Sequence, residues 1–326
     1  IDVIKGPASA LYGSNAIHGV INVITPDTTQ GTGQLALDYG SYGFHRAKLQ
    51  QGKDFGSSGV GIAASLTRDT GYRDDEGVDQ EKVSLRHRIE WDSTVITSGL
   101  TYTHLDQETA GYIEGFESYK STELARSNPN PEAFRNAKSL RIWSKFNTSF
   151  DGGHGLSITP YLRNQDMRFR MHFLPGKPLE ENAQKGVGVL SQFNYIVNDY
   201  VSLDIGIDAE YTEGELVQSQ QGATEGSAFL VETIPSGKHY DYDVDAVLIA
   251  PFFALNWQHE KWDVSFGGRF ESMQYDYTNN MNVGRVREDG TQCGFGGCRY
   301  SRPADSSNDF DSFSPKLSLR YQLSGS

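Results

Sequence analysis

The sequence lacks any long hydrophobic run, and this excludes a helical membrane protein. A membrane-spanning helix needs about 18 consecutive apolar residues, and no stretch approaches that length although 37% of the 326 residues are hydrophobic. Basic residues are also few, since 29 Lys and Arg against 42 Asp and Glu give a net charge of −13. Nucleic-acid binding requires a basic surface, so we expect no nucleic-acid partner.

Motifs of catalysis and of cofactor binding are absent as well. The chain has no Gly-x-Ser-x-Gly nucleophile elbow, no His-Glu-x-x-His zinc motif and no glycine loop for phosphate. Its eight histidines are scattered. We therefore assign no catalytic residue and expect neither an enzyme nor a resident cofactor or metal.

Cysteine is scarce, and the two cysteines are close neighbours. Cys293 and Cys298 enclose a glycine-rich stretch inside a long polar segment, and glycine allows the chain to close so small a ring. If the segment faces an oxidising space, a local disulfide is favoured. Metal binding by the two thiolates is the alternative.

Three aspartates, Asp241, Asp243 and Asp245, stand at alternate positions and suggest a calcium loop. An EF-hand would need Gly at position 246 and Glu at 252, where the chain has Ala246 and Phe252. We interpret the aspartates instead as the wet face of a strand that emerges into a loop.

What the sequence has in abundance is strict alternation of apolar and polar residues, in about twelve segments. Residues 262–271 place Trp, Val, Phe, Gly and Phe on one face and Asp, Ser, Gly, Arg and Glu on the other. A face with charges along its whole length requires water rather than a protein core. The pattern predicts an all-β chain, a transmembrane antiparallel β-barrel with lipid outside and an aqueous lumen.

The connections between these segments alternate between short and long. Tight turns are expected at 55–58, 92–93, 151–155, 198–200 and 258–261, and long loops at roughly 70–80, 106–138, 171–186, 213–244 and 277–312. Trp91, Phe150, Trp257 and Trp262 sit beside short turns on the apolar face, where a membrane protein places interfacial aromatics. The alternative is a soluble β-sandwich with ordinary core aromatics.

The alternation also predicts which side chains face which medium. We expect lipid contact for Leu85, Ile89, Ile142, Phe146, Ile205, Phe266 and Leu319. We expect the lumen face to carry Arg86, Arg88, Arg141, Lys145, Asp204, Glu210, Arg269 and Arg320.

Residues 1–26 differ in kind, because they are rich in glycine and small residues. They predict a short strand, a Gly-Pro turn, one helical turn at 8–12 and a second strand ended by Pro26. This stretch closely resembles the last part of the plug domain of TonB-dependent outer-membrane receptors. The residues that match the plug motif are Lys5, Gly6, Pro7, Leu11, Tyr12, Gly13, Gly19 and Asn22. It departs from the family at Lys5, usually Arg, and at His18, usually Gly.

Later stretches resemble the same family, at residues 39–43, 171–176, 239–244 and 314–321. The resemblance implies the C-terminal part of a plug at 1–30 and the N-terminal part of the barrel at 31–326. Because the family's barrel has about 22 strands and about 12 are counted here, we expect a partial chain. We also expect an open fragment of this kind to transport nothing by itself.

The resemblance implies an importer that binds a scarce ligand, most often a ferric siderophore, and uses energy from the inner-membrane TonB complex. The segment that contacts TonB is expected to lie outside this chain. Cobalamin, haem, another metal complex or a saccharide are alternative cargoes; a passive porin and an extracellular β-rich module are alternative classes. Loop residues that could contact a ligand are Tyr112, Phe116, Arg135, Arg168, Arg170, His172, Tyr240 and Tyr242.

Overall fold

The computed structural model describes residues 2–5, 18–22 and 33–323. Two short strands, β1 (Asp2–Lys5) and β2 (Gly19–Asn22), form a two-stranded sheet of their own. The remaining strands are β3 (Gln34–Tyr39), β4 (His45–Asp54), β5 (Ser58–Asp69), β6 (Val78–Trp91), β7 (Thr94–Glu108), β8 (Phe134–Ser149), β9 (Gly155–Arg170), β10 (Leu179–Asn198), β11 (Val201–Gln220), β12 (Gly237–His259), β13 (Trp262–Asn279) and β14 (Ser306–Tyr321).

In residues 33–323, helical structure is confined to connections between strands. The helices α1 (Thr122–Arg126) and α2 (Ala228–Thr233) each begin at a serine whose hydroxyl accepts a backbone N–H. Two 3₁₀ turns cover Ser118–Lys120 and Asp151–Gly153. Among the described residues, no helix is long and apolar enough to cross a membrane.

The large sheet contains twelve strands in chain order, from β3 to β14, and every pair of neighbours is antiparallel. Within the described ranges its two edges do not meet, so the wall is open. The expected fold, a partial antiparallel barrel of about twelve strands, is confirmed.

The turns alternate as predicted, but the long loops are shorter than the sequence suggested. β11 continues to Gln220 and β12 begins at Gly237, so the loop predicted at 213–244 spans only 221–236. Similarly, β10 begins at Leu179, within the loop predicted at 171–186. These strand ends carry polar residues on both faces, because they lie above the lipid, and they therefore lose the alternation on which the prediction relied.

The pairing registers separate the two predicted sets of side chains. On the apolar face, one row across the sheet contains Leu85, Leu100, Ile142, Leu162 and Val187. Directly paired residues share a face and successive residues alternate. Every side chain predicted to face lipid shares that face, and every residue predicted to face the lumen lies on the other.

The same registers show that the strands must tilt. One straight row across the sheet passes through Leu49, Ala64, Val83, Tyr102, Leu140, Asn164, Lys185, Glu213, Asp245 and Asp276. It begins among apolar residues and ends among carboxylates. A flat hydrocarbon layer must meet apolar side chains on every strand, so it crosses the rows obliquely. This is the stagger of a tilted barrel.

Side-chain networks on the lumen face replace a hydrophobic core. The Trp143 ring covers Gly99, where an added Cβ would stand 2.6 Å from the ring, and the Arg86 guanidinium lies 5.3 Å from the ring centroid. Farther along, the guanidinium of Arg269, only 4% exposed, contacts Asp208 at 2.7 Å and Glu271 at 3.0 Å. The Arg269–Asp208 contact spans β12 and joins β13 to β11 on the inner wall.

The N-terminal segment is described only in part. β1 and β2 pair from Asp2 opposite Asn22 to Lys5 opposite Gly19, and Asn22 Nδ2 donates to Asp2 Oδ2 at 3.4 Å. This little sheet does not join the twelve-stranded wall. The predicted motif residues that lie outside the described residues, together with the predicted helical turn at 8–12, are Gly6, Pro7, Leu11, Tyr12 and Gly13. The plug–barrel boundary near residue 30 stays a prediction.

Candidate functional site

The outer ends of the long strands rise above the apolar band. A membrane-spanning strand needs about 9–11 residues, whereas β12 has 23 and β13 has 18. Trp257 and Trp262 flank the turn at 260–261, and ten residues above them the apolar face ends near Val247 and Ser272. Residues 237–245 and 273–279 therefore stand in the aqueous mouth of the barrel.

One lumen-facing row of side chains crosses this mouth. Pairing aligns Gln107, Arg135, Phe169, Glu180, Gln218 and Tyr240 on five junctions between β7 and β12. The Arg135 guanidinium lies 6.0 Å from the Phe169 ring centroid, and Gln218 Nε2 donates to Glu180 Oε2 at 3.4 Å. The row combines a cation, a carboxylate and two aromatic rings.

A β-bulge at the top of β12 adds two rings to this row. Tyr240 lies opposite Gln218, but Lys238 lies opposite Ser219, so His239 is the extra residue. The His239 ring stacks on Tyr300 with centroids 4.4 Å apart, and Tyr240 meets the same tyrosine edge-on at 6.0 Å. The bulge thus directs two consecutive side chains onto Tyr300.

Tyr242 and Tyr277 form a second aromatic pair, with ring centroids 5.1 Å apart. Burial, with the nearby Glu180 carboxylate, raises the pKa of Tyr242, and burial beside Tyr242 raises the pKa of Tyr277. Both phenols are therefore neutral at physiological pH. They offer ring faces and O–H donors rather than phenolate oxygens.

The loop at 280–305 holds this aromatic cluster in place. A disulfide joins Cys293 to Cys298, and both cysteines are buried against Tyr300. The Arg302 side chain is also buried and donates hydrogen bonds to backbone carbonyls. These acceptors are the carbonyl oxygens of His239, Asn282, Val286 and Arg287. The loop is thereby fixed onto the end of β12.

A separate outer cavity of about 480 Å³ lies between the loops at 109–133 and 171–178. Its lining includes Tyr112, Glu114, His172 and Phe173. The His172 ring lies edge-on to Phe173 with centroids 5.7 Å apart, and its buried Nδ1 has no hydrogen-bond partner. Phe116 is 95% exposed and does not line this cavity.

Two of the predicted ligand residues point away from the mouth. Arg168 lies on the outer face of β9 and pairs with Glu181 at 3.0 Å. Arg170 shares that face, and its Nη1 donates to the Lys177 carbonyl at 3.1 Å. The structure therefore gathers Arg135, Tyr240 and Tyr242 at the mouth and Tyr112 with His172 in the outer cavity. All eight ligand contacts stay predictions.

Sequence reasoning missed Phe169, Glu180, Tyr277 and Tyr300. Three of them lie in strands, where counting alternate residues from the turns would have shown that they face the lumen. Tyr300 gave no such signal, because it lies in a loop and reaches the mouth only through the packing of 280–305. The three alternate aspartates have protein partners: Asp241 pairs with Lys238 at 2.6 Å, Asp243 accepts from Asn280 Nδ2 at 2.7 Å, and Asp245 accepts from Tyr211 at 2.8 Å.

Most of the chain matches a known protein family. The family model described as TonB dependent receptor-like, beta-barrel, matches residues 22–326. The chain belongs to the TonB-dependent receptor family. It is accordingly a protein of the Gram-negative outer membrane, and its family consists of receptors and transporters rather than enzymes.

Individual relatives within the TonB-dependent receptor family match over short stretches. A vitamin B12 transporter, BtuB of Vibrio vulnificus, is 40% identical over 80 residues, which are 24% of this chain and 12% of that protein. A probable TonB-dependent siderophore receptor, PirA of Acinetobacter baumannii, is 38% identical over 65 residues, 20% of this chain and 8% of that protein.

Solved structures match along the whole chain. The ferric-catecholate import receptor Fiu of E. coli K12, in its open form, superposes with a TM-score of 0.74 at 13% identity. The superposition covers 99% of this chain and 57% of Fiu. This TonB-dependent receptor chain therefore spans little more than half the length of a receptor whose fold it shares.

Proposed function

We propose that the protein imports a ferric siderophore across the outer membrane, with energy supplied by the TonB complex of the inner membrane. The observation that carries this proposal is the aromatic mouth above the lipid, which Tyr240, Tyr242 and Tyr277 form and the buried Tyr300 supports from behind. It faces the lumen, so a molecule held there stands at the entrance of the channel. The siderophore-receptor relative supports the same cargo.

The chemistry of the mouth suits a bulky chelate better than a bare ion. Ring faces at Tyr242 and Tyr277 can stack on flat organic groups, and the neutral phenols can donate hydrogen bonds. Arg135, with its guanidinium over Phe169, adds a positive charge for an anionic complex.

Energised import, rather than passive diffusion, is favoured by the N-terminal segment. Residues 1–26 resemble a plug, and the described part of the segment forms a sheet separate from the wall. A porin has no N-terminal plug of this kind.

Cobalamin is the second candidate, because the vitamin B12 transporter relative has the higher identity of the two curated relatives. Haem, another metal complex or a saccharide could use the same scaffold. A mouth of tyrosines, with the Arg302 guanidinium beside Tyr300 and Arg135 farther along the row, does not by itself separate these cargoes.

Growth on defined nutrients tests the cargo. A strain that lacks the gene is compared with the wild type on ferric siderophores as the only iron source, and separately with cobalamin as the limiting nutrient. Loss of growth on a siderophore alone supports the proposal, whereas loss on cobalamin alone replaces it with the second candidate. Uptake that persists without TonB would contradict energised import.

Mutants of the intact protein test the mouth itself. Tyr242→Ala and Tyr277→Ala should each lower siderophore uptake about fivefold, since stacking on one aromatic ring contributes about 1 kcal/mol. Arg168→Ala is the matched control, because its side chain lies on the opposite face of the same wall. Equal losses in all three variants would mean that the mouth does not hold the cargo.

A further inference from the structure

Three polar side chains interrupt the lipid-facing surface of β6, β7 and β8. His87 pairs directly with Ser98, and Ser98 pairs with Ser144, so the three stand in one row on adjacent strands. Apolar rows enclose them: Leu85, Leu100 and Ile142 above, and Ile89, Ile96 and Phe146 below. Trp91, beside the short turn, lies four residues below His87. The polar row is therefore inside the hydrocarbon layer rather than at its rim.

The polar side chains of this row satisfy only part of their hydrogen-bonding capacity among themselves. The two serine hydroxyls lie 2.5 Å apart and bond to each other. His87 is exposed and forms no hydrogen bond or ring contact to any residue in the described ranges. An imidazole without a partner is costly in hydrocarbon, and polar groups at that depth are expected to have one.

The backbone beside the row is also incomplete. β8 and β9 pair at Trp143 with Tyr161 and again at Phe146 with Ile158, but not between these positions. Pro160 stands in the gap and has no N–H to donate. The ladder thus has an opening in the middle of the lipid-facing wall, next to Ser144.

A groove of about 790 Å³ runs across this same face from β4 to β10. His87, Ser98, Ser144 and Pro160 are among its lining residues. Gln51 and Lys53 line its end on β4, and the rest of the outward lining is aliphatic. Small side chains such as serine allow another protein surface to approach closely in a membrane. The groove therefore combines an apolar wall with a polar line along it.

We propose that this groove is where two copies of the receptor meet in the outer membrane. The bilayer holds both copies at one depth, so a two-fold contact brings the polar row of each against the row of the other. Imidazole and hydroxyl groups each donate and accept. The row is consequently complementary to itself, as an isologous contact requires. An acyl chain would leave His87 without a partner, and a different protein would need a polar row at the same height.

Cross-linking of the intact receptor in native outer membranes tests this contact. Ser98→Cys is oxidised with copper phenanthroline, and a disulfide-linked species of twice the monomer mass is expected. The native Cys293 and Cys298 are bonded to each other and do not contribute. Ile205→Cys, on the apolar face of β11 outside the groove, is the control for random collision. Ser144→Cys is a second reporter if Ser98→Cys assembles poorly.

A further variant tests whether the polar row holds the contact. His87→Leu keeps an apolar, lipid-compatible surface and should lower the dimer yield of Ser98→Cys about five- to tenfold, because the two-fold contact loses two equivalent hydrogen bonds. Equal cross-linking at Ile205, absence of a dimer at both serine positions, or an adduct with a protein of another mass would overturn the proposal. An unchanged yield in His87→Leu would do so as well.

Discussion

Arg302 Nη1 donates a hydrogen bond to the backbone carbonyl of His239 at 3.0 Å, across 63 residues of sequence. The guanidinium also lies 5.4 Å from the Tyr300 ring centroid. The His239 ring stacks on the same tyrosine. One buried cation therefore joins the loop at 280–305 to the bulge of β12. The shape of the aromatic mouth depends on this junction.

Replacement of Arg302 should loosen the outer loop without unfolding the barrel. Arg302→Ala removes the side-chain donor from four backbone carbonyls, of which the Arg287 carbonyl keeps a hydrogen bond from Gly290 N at 3.1 Å. Each buried group that is left unsatisfied costs about 1–3 kcal/mol. Arg302→Lys should rescue little, because an ammonium cannot span acceptors that a planar fork reaches. Limited proteolysis of the folded receptor should show faster cleavage within 280–305. Gln292→Ala, at an exposed position of the same loop, should leave the cleavage rate unchanged.

The mouth should become less stable as the medium acidifies. Burial lowers the pKa of His239 below its ordinary value of 6.5, the hydrogen bond to the Pro235 carbonyl opposes this, and the Arg302 cation lowers it further. The opened state then binds a proton that the closed state does not, so stability falls as the pH drops through about 6.5. Amide hydrogen exchange in 235–242 should be faster at pH 5 than at pH 7.5, after correction for intrinsic rates. In His239→Gln this pH dependence should disappear, and its persistence there would exclude His239 as the cause.

Two arginines on the lumen face should differ sharply in their effect on barrel stability. Arg269→Ala leaves the Asp208 and Glu271 carboxylates without their shared cation, which should cost about 3–5 kcal/mol. The Arg163 side chain, on β9 in the middle of the wall, is 44% exposed beside Glu210, and its replacement by Ala should change stability little. Urea unfolding of the intact receptor in lipid vesicles measures both. Similar midpoints for the two variants would mean that the Arg269 cluster is hydrated in the membrane.

A charge on the lipid-facing wall should be tolerated far less than one on the lumen wall. Leu162→Arg places a guanidinium in the apolar row and should cost roughly 2–4 kcal/mol at mid-membrane depth. Ser157→Arg, on the lumen face of the same strand and opposite the uncharged Asn147 and Gln192, provides a matched control in water. The folding equilibrium of the intact receptor into vesicles should separate the two variants, and equal losses would contradict the assignment of the faces.

Much of the wall could be predicted, because the two-residue alternation of apolar and polar side chains determines it. Each strand must present apolar residues at every second position to lipid, so strand number, turn positions and facing follow from counting. Above the lipid that constraint ends, and the outer parts of β10, β11 and β12 looked like loops although their backbones remain paired. The positions of Arg168 and Tyr300 show the same limit. A single step of register decides which face Arg168 occupies, and Tyr300 depends on contacts far away in sequence.

The unequal strand lengths give the receptor a front and a back. β3 and β4 have 6 and 10 residues and are joined by the short connection at 40–44, whereas β12 has 23. The outer rim is therefore low at the β3–β4 turn, beside Ser41, and high at β12, which carries Tyr240 and Tyr242. Within this part of the rim, a large molecule diffusing along the cell surface meets its lowest threshold at the β3–β4 turn. A molecule that enters there would cross the channel entrance to reach the tyrosines. It would not have to pass over the tall outer ends of β12 and β13.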